Sequence, residues 1–251
     1  MKSFDSDGVP IAFIDEGVGS PTLLIHGFAS NHRVNWVSTS WIKDLVAAGR
    51  RVIAFDNRGH GESGKLYDPE PYRTPIMAED ARRLLDHLRI EAADVIGYSM
   101  GARIGAFLAL EHPQRVRRAV LSGLGEGLLK PTGPSPEEIA AALRAASPEE
   151  VSDERARAFR LFAEQTGSDR EALAACILGC RQTLSPAELG QLQTPVLVAV
   201  GSEDDIAGRP EPLAALIPRS DVFVIPGRDH MKAVGDRRHK AAVLEFLSRR
   251  V

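Results

Sequence analysis

A chain of 251 residues and 27.2 kDa has room for one large domain with a sizeable core. Its 31 basic and 34 acidic side chains leave a net charge of −3, without the basic surplus of a dedicated nucleic-acid binder, so no such partner is expected. A composition 43% hydrophobic and 26% charged excludes disorder, and two cysteines, Cys176 and Cys180, are too few for a disulfide scaffold or a four-ligand zinc site.

Residues 1–8 lack the apolar core of a signal peptide, and no apolar run nears the roughly 18 residues of a membrane span. A cytoplasmic location without a membrane partner is therefore expected. Phe4 and residues 11–14 flank Asp7-Gly8, which predicts an antiparallel hairpin at a sheet edge. Buried strands are predicted at 22–25, 51–55, 94–96, 119–122, 196–200 and 222–225. Helices are predicted at 41–48, 76–89, 100–111, 210–216 and 240–249, each bounded by Gly, Pro or a polar cluster. That alternation is the pattern of a parallel sheet wrapped by helices. Residues 125–190 break the rhythm. They show no convincing strand, carry Ala, Glu and Arg at helical spacing, and are punctuated by Pro131, Pro134, Pro136, Pro148 and Pro186. With 11 acidic and 7 basic residues this stretch has a net charge of −4. An all-helical insertion between two strands predicts a cap, 125–190, over a core made of 1–124 and 191–251.

Gly97-Tyr98-Ser99-Met100-Gly101 stands between the strand ending at Ile96 and the helix opening at Met100. A nucleophile elbow needs that context: the turn is so sharp that side chains two residues either side of the serine would clash. The hydroxyl is thereby lifted to a helix N-terminus, where backbone N–H groups favour developing negative charge. His26-Gly27-Phe28 directly follows an earlier strand, and such a loop can supply a second oxyanion donor. The candidate donors are the N–H groups of Phe28 and Met100. A general base must be found among seven histidines. His26 and His60 sit in glycine-rich loops, His32 in a polar loop, and His87 and His112 on or beside helices. His230 follows the last strand through Pro226-Gly227-Arg228-Asp229 and is the predicted base; His239, in an Arg-Arg-His-Lys cluster, is read as part of a solvated face. Ser202-Glu203-Asp204-Asp205 offers carboxylates after the 196–200 strand, giving the chain order serine, acid, histidine.

Together these motifs resemble the α/β-hydrolase fold family, of the serine-nucleophile type with a helical cap, over nearly the whole chain. The resemblance implies a mostly parallel eight-stranded sheet flanked by helices, with the N-terminal hairpin at its edge. Asp56-Asn57-Arg58-Gly59-His60-Gly61-Glu62-Ser63 is similar to the family's structural Asp-x-Arg-Gly-x-Gly-x-Ser loop. Family spacing from Gly201 selects Asp204 over Asp205 as the orienting acid. Where the family often has a proline soon after that acid, this chain has Ile206-Ala207-Gly208.

A serine nucleophile implies acyl transfer to water from an ester, thioester or lactone, with no metal or cofactor required. Ser-Met at the elbow also resembles cofactor-free perhydrolases of the haloperoxidase type, although these typically follow His-Gly with Trp-Pro, where Phe28-Ala29 stands here. Carbon–carbon bond hydrolases usually carry a glycine-rich oxyanion loop, which Ala29-Ser30-Asn31 does not resemble. A ligand receptor without turnover is a third alternative on this fold. The expected partner is a small or medium, uncharged to weakly polar ester. Leu124, Leu128, Phe159 and Phe162 are the candidate pocket residues, and an anionic substrate would call for an arginine such as Arg33, Arg103 or one from the cap. Cys176 and Cys180 share a helical face and read as reduced core thiols.

Overall fold

The computed structural model describes residues 1–249; the last two positions of the expected 191–251 core portion lie outside the described residues. One eight-stranded sheet organises the chain. Its strands are β1 (Lys2–Ser6), β2 (Val9–Glu16), β3 (Ser20–Ile25), β4 (Arg50–Phe55), β5 (Ala93–Tyr98), β6 (Val116–Ser122), β7 (Val196–Gly201) and β8 (Ser220–Ile225). They lie in the order β1-β2-β4-β3-β5-β6-β7-β8. The pairs β1–β2 and β2–β4 are antiparallel and every other pair is parallel. In the opening hairpin Phe4 pairs with Ile11 and Ser6 with Val9. Asp7 and Gly8 both take positive φ, 56° and 82°, as a two-residue turn matching the strand twist requires.

The helices are α1 (Trp41–Ala47), α2 (Thr74–His87), α3 (Met100–Glu111), α4 (Pro136–Arg144), α5 (Glu154–Gln165), α6 (Arg170–Gly179), α7 (Pro186–Leu189), α8 (Pro210–Ala214) and α9 (Arg237–Ser248). Strand side chains alternate between two apolar layers, as a sheet covered on both faces demands. Leu23, Ile25, Ile53, Phe55 and Val95 meet Leu84, Leu85, Ile104 and Leu108 of α2 and α3. Leu24, Ala54, Ile96 and Val120 meet Trp41 and Leu45 of α1 and Val243, Phe246 and Leu247 of α9. β8 closes the sheet as an edge, with Val222 and Val224 exposed.

Residues 125–190 contain α4 to α7 and short 3-10 turns but no strand among the described residues. Ser135 and Ser185 start α4 and α7 with reciprocal capping boxes to Glu138 and Glu188, while Asp153 and Asp169 cap α5 and α6. Pro136 and Pro186 occupy the first helical position, where a missing N–H costs nothing. Two boundaries differ from expectation in an informative way. α9 begins three residues earlier than predicted because Asp236 accepts the N–H of Arg238 at 2.8 Å and caps it. Residues 33–37 form a turn of π-helix that hydrophobic periodicity did not reveal. None of the helices among the described residues is long and apolar enough to cross a membrane.

Candidate active site

The C-terminal ends of the parallel strands β3, β5, β7 and β8 converge, which is where an open α/β sheet presents its ligand crevice. Ser99 links β5 directly to α3 with φ 53° and ψ −112°, a conformation that costs a non-glycine residue energy and persists only where packing dictates it. The flanking glycines show why the turn fits. A Cβ on Gly97 would lie 2.3 Å from the Gly101 carbonyl oxygen, and one on Gly101 only 1.9 Å from that of Ile25.

His230 stands 6% exposed on the loop after β8. Its Nδ1 lies 2.8 Å from Asp204 Oδ2 and its Nε2 lies 3.1 Å from Ser99 Oγ. A carboxylate only accepts, so Nδ1 carries the proton and Nε2 faces the hydroxyl as an acceptor. Asp204 has a fully buried side chain, and its Oδ1 accepts the N–H groups of Ile206 and Ala207 at 3.0 and 2.8 Å. Both donors lie where a proline would remove one, so the departure from the family pattern here supplies an extra anchor for the acid. Asp205, the neighbouring carboxylate, is exposed. Tyr98, buried beneath, donates its hydroxyl to the carbonyl of His230, and burial pushes its phenol well above the ordinary range, keeping it a donor.

The N–H groups of Phe28 and Met100 flank Ser99, and neither is engaged by a protein acceptor among the described residues. The Phe28 loop is fixed from below. Gly27 N–H donates to Asn35 Oδ1 at 2.8 Å, and buried His26 donates from Nδ1 to the Gly27 carbonyl while its Nε2 accepts Asn57 N–H at 3.0 Å. Burial lowers the His26 pKa, consistent with that neutral ring. The Asp56 loop is structural in detail. Burial raises the Asp56 pKa, but hydrogen bonds from the His32 ring, His32 N–H and Glu62 N–H overcome that effect and hold it at about 2. Arg58 makes a bidentate pair with Asp80 at 2.7 Å for both contacts.

Three neighbouring cavities lie beside the elbow and His230, and two of them are lined by Ser99. A vestibule of about 480 Å³ is walled by Phe159, Phe162, Leu161, His230 and Met231, with Glu154, Asp205 and Asp229 among its charged residues. A second of about 170 Å³ reaches Ser99 past Phe28 and Tyr98. A third, about 40 Å³, lies between Phe28, Ser99, Met100 and Arg103. Phe159 and Phe162, the candidate pocket residues of the 125–190 stretch, line the first two of these cavities. Leu124 and Leu128 line none of these cavities: both are buried in the main core. His239 corrects its sequence reading outright. It is fully buried, accepts from Ser122 Oγ at 2.7 Å, donates to the Ala233 carbonyl at 3.1 Å and packs edge-on against Trp41. Cys176 and Cys180 are free and buried. Sequence reasoning missed Tyr98, which no motif distinguishes from a core tyrosine. It also missed Glu79, Glu111 and His112, whose ligand atoms fall within 4.8 Å of one another. Glu79 of that group is already paired with His112 and Arg82, at the end of α3 remote from Ser99.

Such a fold, with a strand–serine–helix elbow beneath a buried histidine, is that of an α/β hydrolase. Residues 21–175 match the family model described as the α/β hydrolase fold, and the chain belongs to that family. A 2-hydroxymuconate semialdehyde hydrolase from a Pseudomonas species (strain CF600) is 38% identical over 116 residues, covering 46% of this chain but only 40% of that relative's length. A non-heme chloroperoxidase from Kitasatospora aureofaciens is 28% identical over 97% of this chain and 98% of its own. Among solved structures, a thermophilic esterase from Thermogutta terrifontis superposes with a TM-score of 0.77 at 26% identity, covering 98% of this chain and 96% of that one.

Proposed function

We propose that this chain is a serine hydrolase that cleaves a small or medium carboxylic ester, thioester or lactone through an acyl-enzyme on Ser99. The observation that carries this reading is the continuous hydrogen-bonded line from Asp204 through His230 to Ser99, beside two unengaged N–H groups. His230 Nε2 takes the Ser99 proton as Oγ attacks the carbonyl carbon, and the N–H groups of Phe28 and Met100 hold the oxyanion. Protonated His230 then donates to the leaving oxygen, which departs as an alcohol. Water, deprotonated by the same nitrogen, attacks the acyl-enzyme; the acid leaves and Ser99 recovers its proton. Asp204 keeps the imidazole in the required tautomer throughout. The helices of 125–190 act as a cap, with Phe159 and Phe162 of α5 forming an apolar wall over the scissile bond.

A second reading is perhydrolysis, in which hydrogen peroxide replaces water at the acyl-enzyme and a peracid leaves. The end-to-end likeness to a chloroperoxidase favours testing it. Purified protein assayed on p-nitrophenyl acetate and butyrate, a γ-lactone and an acyl thioester, with and without peroxide, separates these outcomes. Turnover of at least one acyl substrate, lost in Ser99→Ala, is expected, and absence of turnover on all of them sinks the reading.

A further inference from the structure

Arg103 is 4% exposed and sits on α3 one helical turn after Ser99. The other deeply buried arginines each have a carboxylate: Arg58 pairs with Asp80, and Arg160 with Glu164 at 2.8 Å. Arg103 has none among the described residues. Two of its N–H groups donate to the Gln182 and Gly127 carbonyls, which orient the fork without neutralising it. Beside it stands Arg181, which has no carboxylate partner among the described residues either. Both line the small cavity that opens onto Ser99 and Met100, its remaining wall being Phe28, Phe159, Ile177 and Cys180. Burial and the neighbouring Arg181 lower the Arg103 pKa to about 10, so the guanidinium remains charged at neutral pH. An uncompensated buried cation facing a second one is expensive unless an anion completes the site.

From this arrangement we infer that the cavity is a carboxylate subsite for the acyl portion of the substrate, formed by Arg103 and Arg181. This deepens the hydrolase reading and rests on it for the direction of the acyl chain. His230, which must protonate the leaving group, lines the vestibule and the second cavity but not this one, so the leaving group faces the vestibule. The acyl group then points along α3 toward the arginines. At about 40 Å³ this is the smallest of the three cavities, which suits a short acyl chain ending at the arginines. The substrate class is a monoester, thioester or lactone whose acyl chain ends in a second, ionised carboxylate a few carbons from the scissile carbonyl. That reverses the sequence-based expectation of an uncharged ester. A guanidinium fork suits a carboxylate because two parallel N–H···O bonds form at once.

The test separates the subsite from the chemistry by measuring binding in Ser99→Ala, where no turnover intervenes. Calorimetry compares monoethyl glutarate with ethyl pentanoate, its uncharged counterpart of equal chain length. The anion is expected to bind at least tenfold more tightly, and Arg181→Gln, which removes no side-chain hydrogen bond or ion pair among the described residues, should cut that ratio at least fivefold. Arg103→Lys, retaining the charge but not the fork, should cut it as well. Equal binding of the two esters, or a ratio untouched by Arg181→Gln, overturns the subsite whatever the wild-type protein hydrolyses. If the ratio holds while the wild type turns over neither ester, the subsite stands and the hydrolase reading falls.

Discussion

At the scale of single residues, position along the chain and direction in space decide different things. The elbow serine and the histidine after the last strand were legible because local pattern and chain order constrain them. Choosing between Asp204 and Asp205 was not a matter of local chemistry, since adjacent carboxylates look alike in sequence. Only the fold shows that one is buried against His230 and two N–H groups while the other faces the vestibule. Asp204→Asn should therefore lower kcat by roughly 10³-fold or more, because an amide favours the wrong imidazole tautomer. Asp205→Asn should cost far less. Kinetics of both variants on one ester decide the assignment, and the reverse order would exchange the two residues. His239 reads from sequence as a surface group, and Arg103 as one of several candidate pocket arginines, because charge in a sequence implies water only when the helix bearing it has a wet face. α3 is buried from Met100 to Ala109, so any side chain on it goes inside.

At the scale of elements, strand and helix patterns read well wherever hydrophobic period and punctuation agree, as in the hairpin and the elbow. α9 shows how a boundary error propagates. Starting the helix at Lys240 leaves His239 outside it, whereas capping at Asp236 places His239, Val243, Phe246 and Leu247 on one inward stripe at i, i+4, i+7 and i+8. Leu124 and Leu128 read as pocket residues because apolar residues at and just inside the start of an insertion look like lining, and sequence carries no signal for which of them turns into the core. The elbow itself invites a comparison of two glycines on one helix. Gly101→Ala would press a methyl into backbone oxygens and should destabilise by about 2–3 kcal/mol or more. At Gly105 the same methyl meets only the Val95 side chain, at 3.3 Å, and the helix gains intrinsic propensity of up to about 1 kcal/mol. Urea denaturation should thus rank Gly101→Ala well below Gly105→Ala. Similar midpoints for the two would mean that the elbow is looser than its geometry.

Across the whole molecule, the pH dependence of stability follows from histidines held neutral in the interior. Burial lowers His60 to about 3 and His239 to about 4, against an unfolded value near 6.5. Between those values the unfolded chain binds more protons than the folded one, so stability is full above about pH 6.5 and declines as pH falls toward 4. At pH 5 each histidine should cost about 2 kcal/mol relative to pH 7.5. Urea midpoints at the two pH values should show the decline, and His239→Gln, which can still hydrogen-bond to Ser122 and Ala233, should make it shallower. An unchanged slope in that variant would show that His239 does not contribute to the decline. The parallel sheet wrapped by helices was readable in advance from the alternation of strands and helices, and its eight strands from the resemblance, but how α5 comes to line the cavities beside His230 was not. That depends on long-range packing, such as Phe159 against Phe28, which no local pattern encodes.

A covalent intermediate on Ser99 is tested most directly by a peptide map of the native protein after exposure to a fluorophosphonate, whose phosphorus is attacked as the ester carbonyl would be. One adduct per chain is expected, located on Ser99 and formed in step with loss of ester hydrolysis. Hydrolysis that persists with Ser99 fully labelled, or inactivation with the adduct on another residue, would contradict it.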